Sequence, residues 1–84
     1  MRFSKHFEED RRDQPDRERI SLSMCEQVVR NPVVSEPNRK DRVAYWGYVE
    51  SEDRYLKVIV EANGEEIVTA HYDRGFKRKM RSQR

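Results

Sequence analysis

His71, Tyr72 and Arg74 follow closely on the end of a β-branched run, and Lys57 lies on the run before it. An imidazole, a phenol and two cations gathered at one end of a sheet suit metal-free phosphodiester chemistry. RNA can be cut by its own 2′-hydroxyl attacking the neighbouring phosphate. A protein then has to orient the strand, help move two protons and neutralise the charge growing on the phosphorane. Histidine, with an ordinary pKa near ~6.5, suits proton transfer at neutral pH. Lys57, Arg42 and Arg74 could supply the positive field, and Tyr72 or Tyr45 could stack on a base or donate a proton. Plainer readings stand beside these. Tyr45, Trp46 and Tyr48 in one strand are more often packing residues than base platforms. Lys57, between Leu56 and Val58, also reads as the solvated side of a strand, and His6, between Phe3 and Phe7, as a hydrogen-bonded helix residue.

The element that must position this cluster is a hairpin. Leu56 to Val60 is apolar and β-branched, Asn63-Gly64 tolerates φ > 0 at both positions of a two-residue primed turn, and Ile67 to Ala70 returns. With Asn63 and Gly64 central, Val60 faces Ile67, Val58 faces Thr69 and Leu56 faces His71. On the other side Ile59 pairs with Val68, Lys57 with Ala70 and Tyr55 with Tyr72. The first face, being more apolar, is expected to meet the helices. The second carries Lys57, Tyr55 and Tyr72, and a one-residue slip would exchange the two.

Other chemistries find little footing. The sequence has no Cys pair, no HExxH and only two histidines; His71-x-Asp73 offers two ligands, too few for a zinc or iron site. No serine or cysteine triad is legible, and Gly47, Gly64 and Gly75 are isolated rather than gathered into a phosphate-cradling loop. Neither a metal nor another cofactor is expected. Cys25 is the sole cysteine and falls on the apolar stripe of an expected helix, which reads as a buried structural thiol in a reducing, cytoplasmic setting. No signal peptide is visible, and no apolar run approaches the ~20 residues that cross a bilayer.

The 84 residues leave room for one domain with a thin core. Charged residues make up 40% and hydrophobic ones 35%, a balance near that of disordered chains. Yet the apolar residues concentrate in Leu22–Val29, Val43–Val49, Leu56–Val60 and Ile67–Ala70, which argues for a folded domain with a charged surface. The net charge of +2 is unevenly spread: six Lys/Arg stand against Asp73 alone from His71 onward, whereas the first twenty residues sum to zero. Lys77, Arg78, Lys79 and Arg81 therefore read as a basic tail, residues 77–84, behind a domain of residues 1–76. Such a tail serves either solvation or contact with nucleic acid or an acidic protein.

A first helix is expected from Ser4 to Asp13, with Phe3, His6, Phe7 and Asp10 on one face and Pro15 ending or bending it. Ser21 is a good N-cap for a second, with Ile20 placed to staple against Cys25 and Asn31-Pro32 closing it. Val33 to Pro37 reads as a proline-flanked edge strand, 38–41 as a polar turn, Arg42 to Val49 as a strand and 50–53 as a charged loop. The expected fold is α+β: two N-terminal helices packed on one face of a four-stranded antiparallel meander.

This order resembles that of the domain-of-unknown-function 4258 family: His6 followed by Arg11 or Arg12, Arg19-Ile20-Ser21, a short helix to Asn31-Pro32, the strand with Tyr45-Trp46-Gly47, Leu56 to Val60, and Ile67-Val68-Thr69. The resemblance spans Phe3 to Arg74 and rests on order and spacing; the charged 13–19 segment and the long basic C-terminus depart from it. It implies a RelE- or BrnT-like ribonuclease fold, a toxin neutralised by a small antitoxin, and RNA as target, free or on the ribosome. It also implies His6, a first-helix arginine and Thr69 as functional positions. Together the two arguments lead to an expected catalytic set of His71, Tyr72, Arg74, Lys57, His6 and Thr69, with Arg42, Tyr45, Lys77, Arg78, Lys79 and Arg81 holding RNA. The alternative is a non-catalytic module that holds nucleic acid or an acidic protein.

Overall fold

Ser4 ties three elements together. Arg2–Phe3 form a short strand, β1, that pairs in parallel with β5 (Glu66–Tyr72). The next residue, Ser4, donates its N–H to the Ile67 carbonyl at 2.8 Å and its hydroxyl to the Val68 carbonyl at 3.2 Å. The same hydroxyl accepts the Phe7 N–H at 3.1 Å and so caps helix α1, Lys5–Asp13. Ser21 does likewise for α2, Leu22–Arg30, accepting the Met24 N–H at 3.1 Å. The computed structural model describes residues 1–14 and 19–82, with side chains described as far as Arg78. Pro15 lies outside the described residues, and α1 ends at Asp13.

β2 (Val34–Pro37), β3 (Val43–Val49), β4 (Arg54–Val60) and β5 form the expected antiparallel meander. The expected fold is right in class and short in detail. The protein is α+β, and its described residues form a five-stranded sheet in the order β1-β5-β4-β3-β2, mixed because β1 is parallel to β5. Among the described residues there is also a third α-helix, α3, Arg74–Ser82. Lys77 to Ser82 therefore continue a helix instead of forming a separate tail. None of the helices is long and apolar enough to cross a membrane, among the described residues.

The core lies between the sheet and the first two helices. Phe7, Ile20, Cys25, Val28, Leu56, Val58, Val60, Ile67 and Ala70 are buried together. Burying each large aliphatic or aromatic side chain here stabilises by about 1.5–3 kcal/mol. Ile20 and Cys25 share this cluster, as a staple across the start of α2 requires. Burial pushes the Cys25 thiol up to about 12, outweighing the opposing pull of Arg11, so it stays neutral and packs as a small apolar group.

Gly47 sets how closely α2 approaches. A Cβ at Gly47 would lie 2.9 Å from one methyl of Val28 and 3.1 Å from the other. Val28 is branched and fixed in a helix, so it has little room to turn away. Gly47→Ala is expected to cost about 1–3 kcal/mol by overpacking, read as a lowered thermal midpoint. An unchanged midpoint would mean that α2 shifts outward freely.

The hairpin departs from expectation in a way that matters for the site. Val60 pairs with Ile67 as predicted, but Ile59 then pairs with Thr69, Val58 with Ala70, Lys57 with His71 and Leu56 with Tyr72. The register shifts between Ile59 and Val60, leaving Val68 as the extra residue of a β-bulge. The Ser4 hydroxyl supplies its carbonyl with a partner from the β1 side. The turn also differs. Only Gly64 has positive φ, at 75°, and its N–H bonds back to the Glu61 carbonyl at 2.9 Å. That is a longer loop closed by a left-handed glycine, rather than the two-residue primed turn.

Candidate functional site

The bulge exchanges two of the predicted site residues between faces. Tyr72, expected beside Lys57, lies on the helix-covered face and packs against the core of Leu56 and its neighbours. His71 takes its place as the direct cross-strand partner of Lys57. Thr69, two residues earlier on the same strand, shares that face. Lys57, His71 and Thr69 are each partly exposed.

Trp46 anchors this second face. It pairs with Lys57 across β3 and β4, and the Lys57 ammonium lies 5.1 Å from the centre of its ring. Such cation–π contacts hold a lysine over an aromatic face while leaving its charge available. On its other side Trp46 stacks against Phe76 of α3, with centroids 5.3 Å apart and planes 12° from parallel. Tyr55 meets the Phe76 ring edge-on at 5.0 Å, and Tyr48 meets Tyr55 at 5.3 Å. Ala44, Trp46 and Phe76 form a small second core here.

Asp73 fixes where α3 begins. Its Oδ1 accepts the N–H groups of Gly75 and Phe76 at 3.1 and 3.2 Å, an N-cap. Its Oδ2 accepts the Trp46 indole N–H at 3.1 Å. One carboxylate therefore joins helix start to sheet. Asp53 makes a second tie from the turn before β4. It accepts the Tyr48 hydroxyl, which holds its carboxyl below the usual range, and it pairs with Lys77 at 3.4 Å. The same hydrogen bond pushes the Tyr48 phenol up.

α3 carries Arg74, Lys77, Arg78, Lys79 and Arg81 and no acidic residue. Arg74 and Arg78 are exposed; the side chains of Lys79 and Arg81 lie outside those described. The helix starts three residues after His71, and Phe76 seats it on Trp46, the ring that Lys57 overlies.

Several predicted residues stand elsewhere. Tyr45 is on the helix-covered face, partly buried and packed against the main core, away from Lys57 and His71. Arg42 lies before β3, at the Val60 end of the sheet, with its Nε 3.4 Å from Glu61. Arg74 and Lys77 lie at the opposite, Asp53 end. His6 projects from α1 with 85% of its side chain exposed and pairs with Asp10 at 3.7 Å. Arg11 stacks over Phe3 at 4.5 Å. The positions that the family resemblance implies are therefore not brought together: His6 and Arg11 belong to α1, while Thr69 faces the opposite side of the sheet. Arg54, which sequence reasoning passed over, lies over the Tyr72 ring at 5.3 Å. Burial is the main cause pushing the Tyr72 phenol up, with Glu52 adding to it and Arg54 opposing.

Among the described residues, no three His, Cys, Asp or Glu side chains converge as a metal site. No family model matches the chain, and neither a curated protein nor a solved structure matches it.

Proposed function

We propose that this protein is a RelE-like endoribonuclease domain, the toxin of a toxin–antitoxin pair, acting on RNA across the Lys57–His71 face. The observation that carries the reading is the direct cross-strand pairing of Lys57 with His71 next to a helix bearing five cations and no carboxylate. His71 takes the 2′-hydroxyl proton as that oxygen bonds to phosphorus. The bond from phosphorus to the 5′-oxygen breaks, and the 5′-oxygen receives a proton from the imidazolium. Lys57, held over Trp46, offsets charge on the phosphorane. The α3 cations hold the flanking backbone. An antitoxin would cover this face with carboxylates, since opposite potentials favour fast association.

Incubating the purified protein with labelled RNA in EDTA tests this. The expected product ends in a 2′,3′-cyclic phosphate, and expression without a partner arrests growth. Binding should weaken steeply with salt, and Lys77→Gln with Arg78→Gln should flatten that slope by about two phosphate contacts at most. Replacing side chains is the better probe than truncation after Phe76, which would remove most of α3. Intact RNA and normal growth with folded protein would overturn the nuclease reading.

A second reading, a non-catalytic RNA-binding module, is favoured by one observation. Tyr72 lies on the opposite face, so His71 and Lys57 are left without the phenol as a second proton carrier. Salt-sensitive binding without cleavage is its signature.

A further inference from the structure

A cavity of about 260 Å³ opens at the end of the hairpin where β4 begins and β5 runs into α3. Tyr55 and Tyr72 line it, together with Arg54, Arg74 and Lys77 and the carboxylates of Asp53 and Asp73. Both carboxylates are engaged. Asp53 holds Lys77 and the Tyr48 hydroxyl, and Asp73 holds the Trp46 indole and the first N–H groups of α3. Arg54 and Arg74 have no ion-pair partner among the described residues, and both are exposed. The Arg54 guanidinium is held against the Tyr72 ring, not against an acid.

Two tyrosines and an arginine on an aromatic ring make flat surfaces on which a base can stack. Two cations without acidic partners suit a phosphate. The volume lies just below the usual lower limit for ligand pockets, about 300 Å³, which fits one nucleotide unit better than a larger ligand. Tyr55 is two residues from Lys57 on β4, about 7 Å along the strand. The cavity thus lies at the end of the two strands that carry Lys57 and His71.

We propose that this cavity is a nucleotide subsite that takes one base with its phosphate, Arg54, seated on Tyr72, meeting the base and Arg74 the phosphate. The proposal rests on the RNA-binding reading above and gives that surface its anchoring point. It predicts that the protein recognises a nucleotide as a unit, not phosphate alone.

Titration of the full chain with adenosine 5′-monophosphate, followed by amide shifts, tests it. Shifts should concentrate at 53–55 and 72–77, and adenosine or inorganic phosphate alone should bind about tenfold more weakly or worse, each lacking half the contacts. Arg54→Gln and Arg74→Gln should each weaken binding about tenfold, the order expected for losing a charge-assisted contact. The charge-matched pair Arg30→Gln and Arg39→Gln should leave binding unchanged. Equal loss in that control, or shifts spread along α3 alone, would overturn the subsite in favour of general charge attraction. A parallel titration with an RNA oligomer separates the two readings. If Lys57→Gln weakens RNA binding while Arg54→Gln and Arg74→Gln do not, the subsite is wrong and the RNA surface stands. If the wild-type chain binds no RNA, the surface is wrong and the mononucleotide titration decides the cavity alone.

Discussion

His71→Gln is expected to lower RNA cleavage by roughly 10²–10⁴-fold, the range for losing a general acid–base group, while the protein melts close to the wild-type temperature. Glutamine keeps the length and a hydrogen-bonding end but cannot carry the proton. His71 is partly exposed and outside both buried clusters, so the change opens no cavity in either. Lys57→Gln should act in the same direction with a smaller effect, because it removes charge from the phosphorane and leaves the proton carrier in place. Val58→Ala is the converse. Val58 has no exposed surface, and its truncation should cost about 2–3 kcal/mol through lost burial and a cavity, with activity per folded molecule retained. Cleavage rates of purified variants measured beside thermal melts separate the two classes. Full cleavage by His71→Gln would end the assignment of His71, and a lost melting transition in that variant would show a structural role instead.

That pairing of His71 with Lys57 was half legible from the residues. The strand that carries each one, the place of the turn between them, though not its type, and the alternation of buried positions along β4 follow from β-branched runs and the glycine. The bulge does not. No glycine or proline marks Val68, and the partner of its carbonyl is Ser4, 64 positions away in the chain. Local pattern does not show such a contact. The consequence was a one-residue slip that sent Tyr72 to the core and His71 to the Lys57 face. β1 escaped for a similar reason: two residues carry no period, and their pairing with β5 is set by position in space. The helices α1 and α2 were readable because Ser4 and Ser21 are caps with apolar stripes behind them. α3 was read as a tail because its charges outnumber its apolar residues. The cap signal was nonetheless present, in Asp73 followed three residues on by Phe76.

Phe76→Ala is expected to release α3 from the sheet. A helix of nine residues is too short to persist alone in water. It carries five cations and no acidic residue of its own, and among the ion pairs described Asp53 offsets Lys77 from the turn before β4. What holds it is Phe76, 6% exposed and lodged against Trp46 and Tyr55, with the Asp73 cap at its start. Removing a buried phenylalanine costs about 3–5 kcal/mol, more than the cap, worth ~1 kcal/mol, can make good. The main core does not include Phe76, so the loss should stay at this end of the protein. Trp46 reports it directly, being the sole tryptophan in the chain and 8% exposed. Its emission should shift to the red, and amides of α3 should lose exchange protection while those of β4 keep theirs. RNA affinity should fall with the helix, because its cations would no longer be fixed beside Lys57 and His71. If Trp46 emission and α3 protection both stay unchanged, α3 is held by contacts other than Phe76. If α3 is released and RNA affinity is untouched, the helix has no part in holding RNA, and recognition belongs to the sheet face alone.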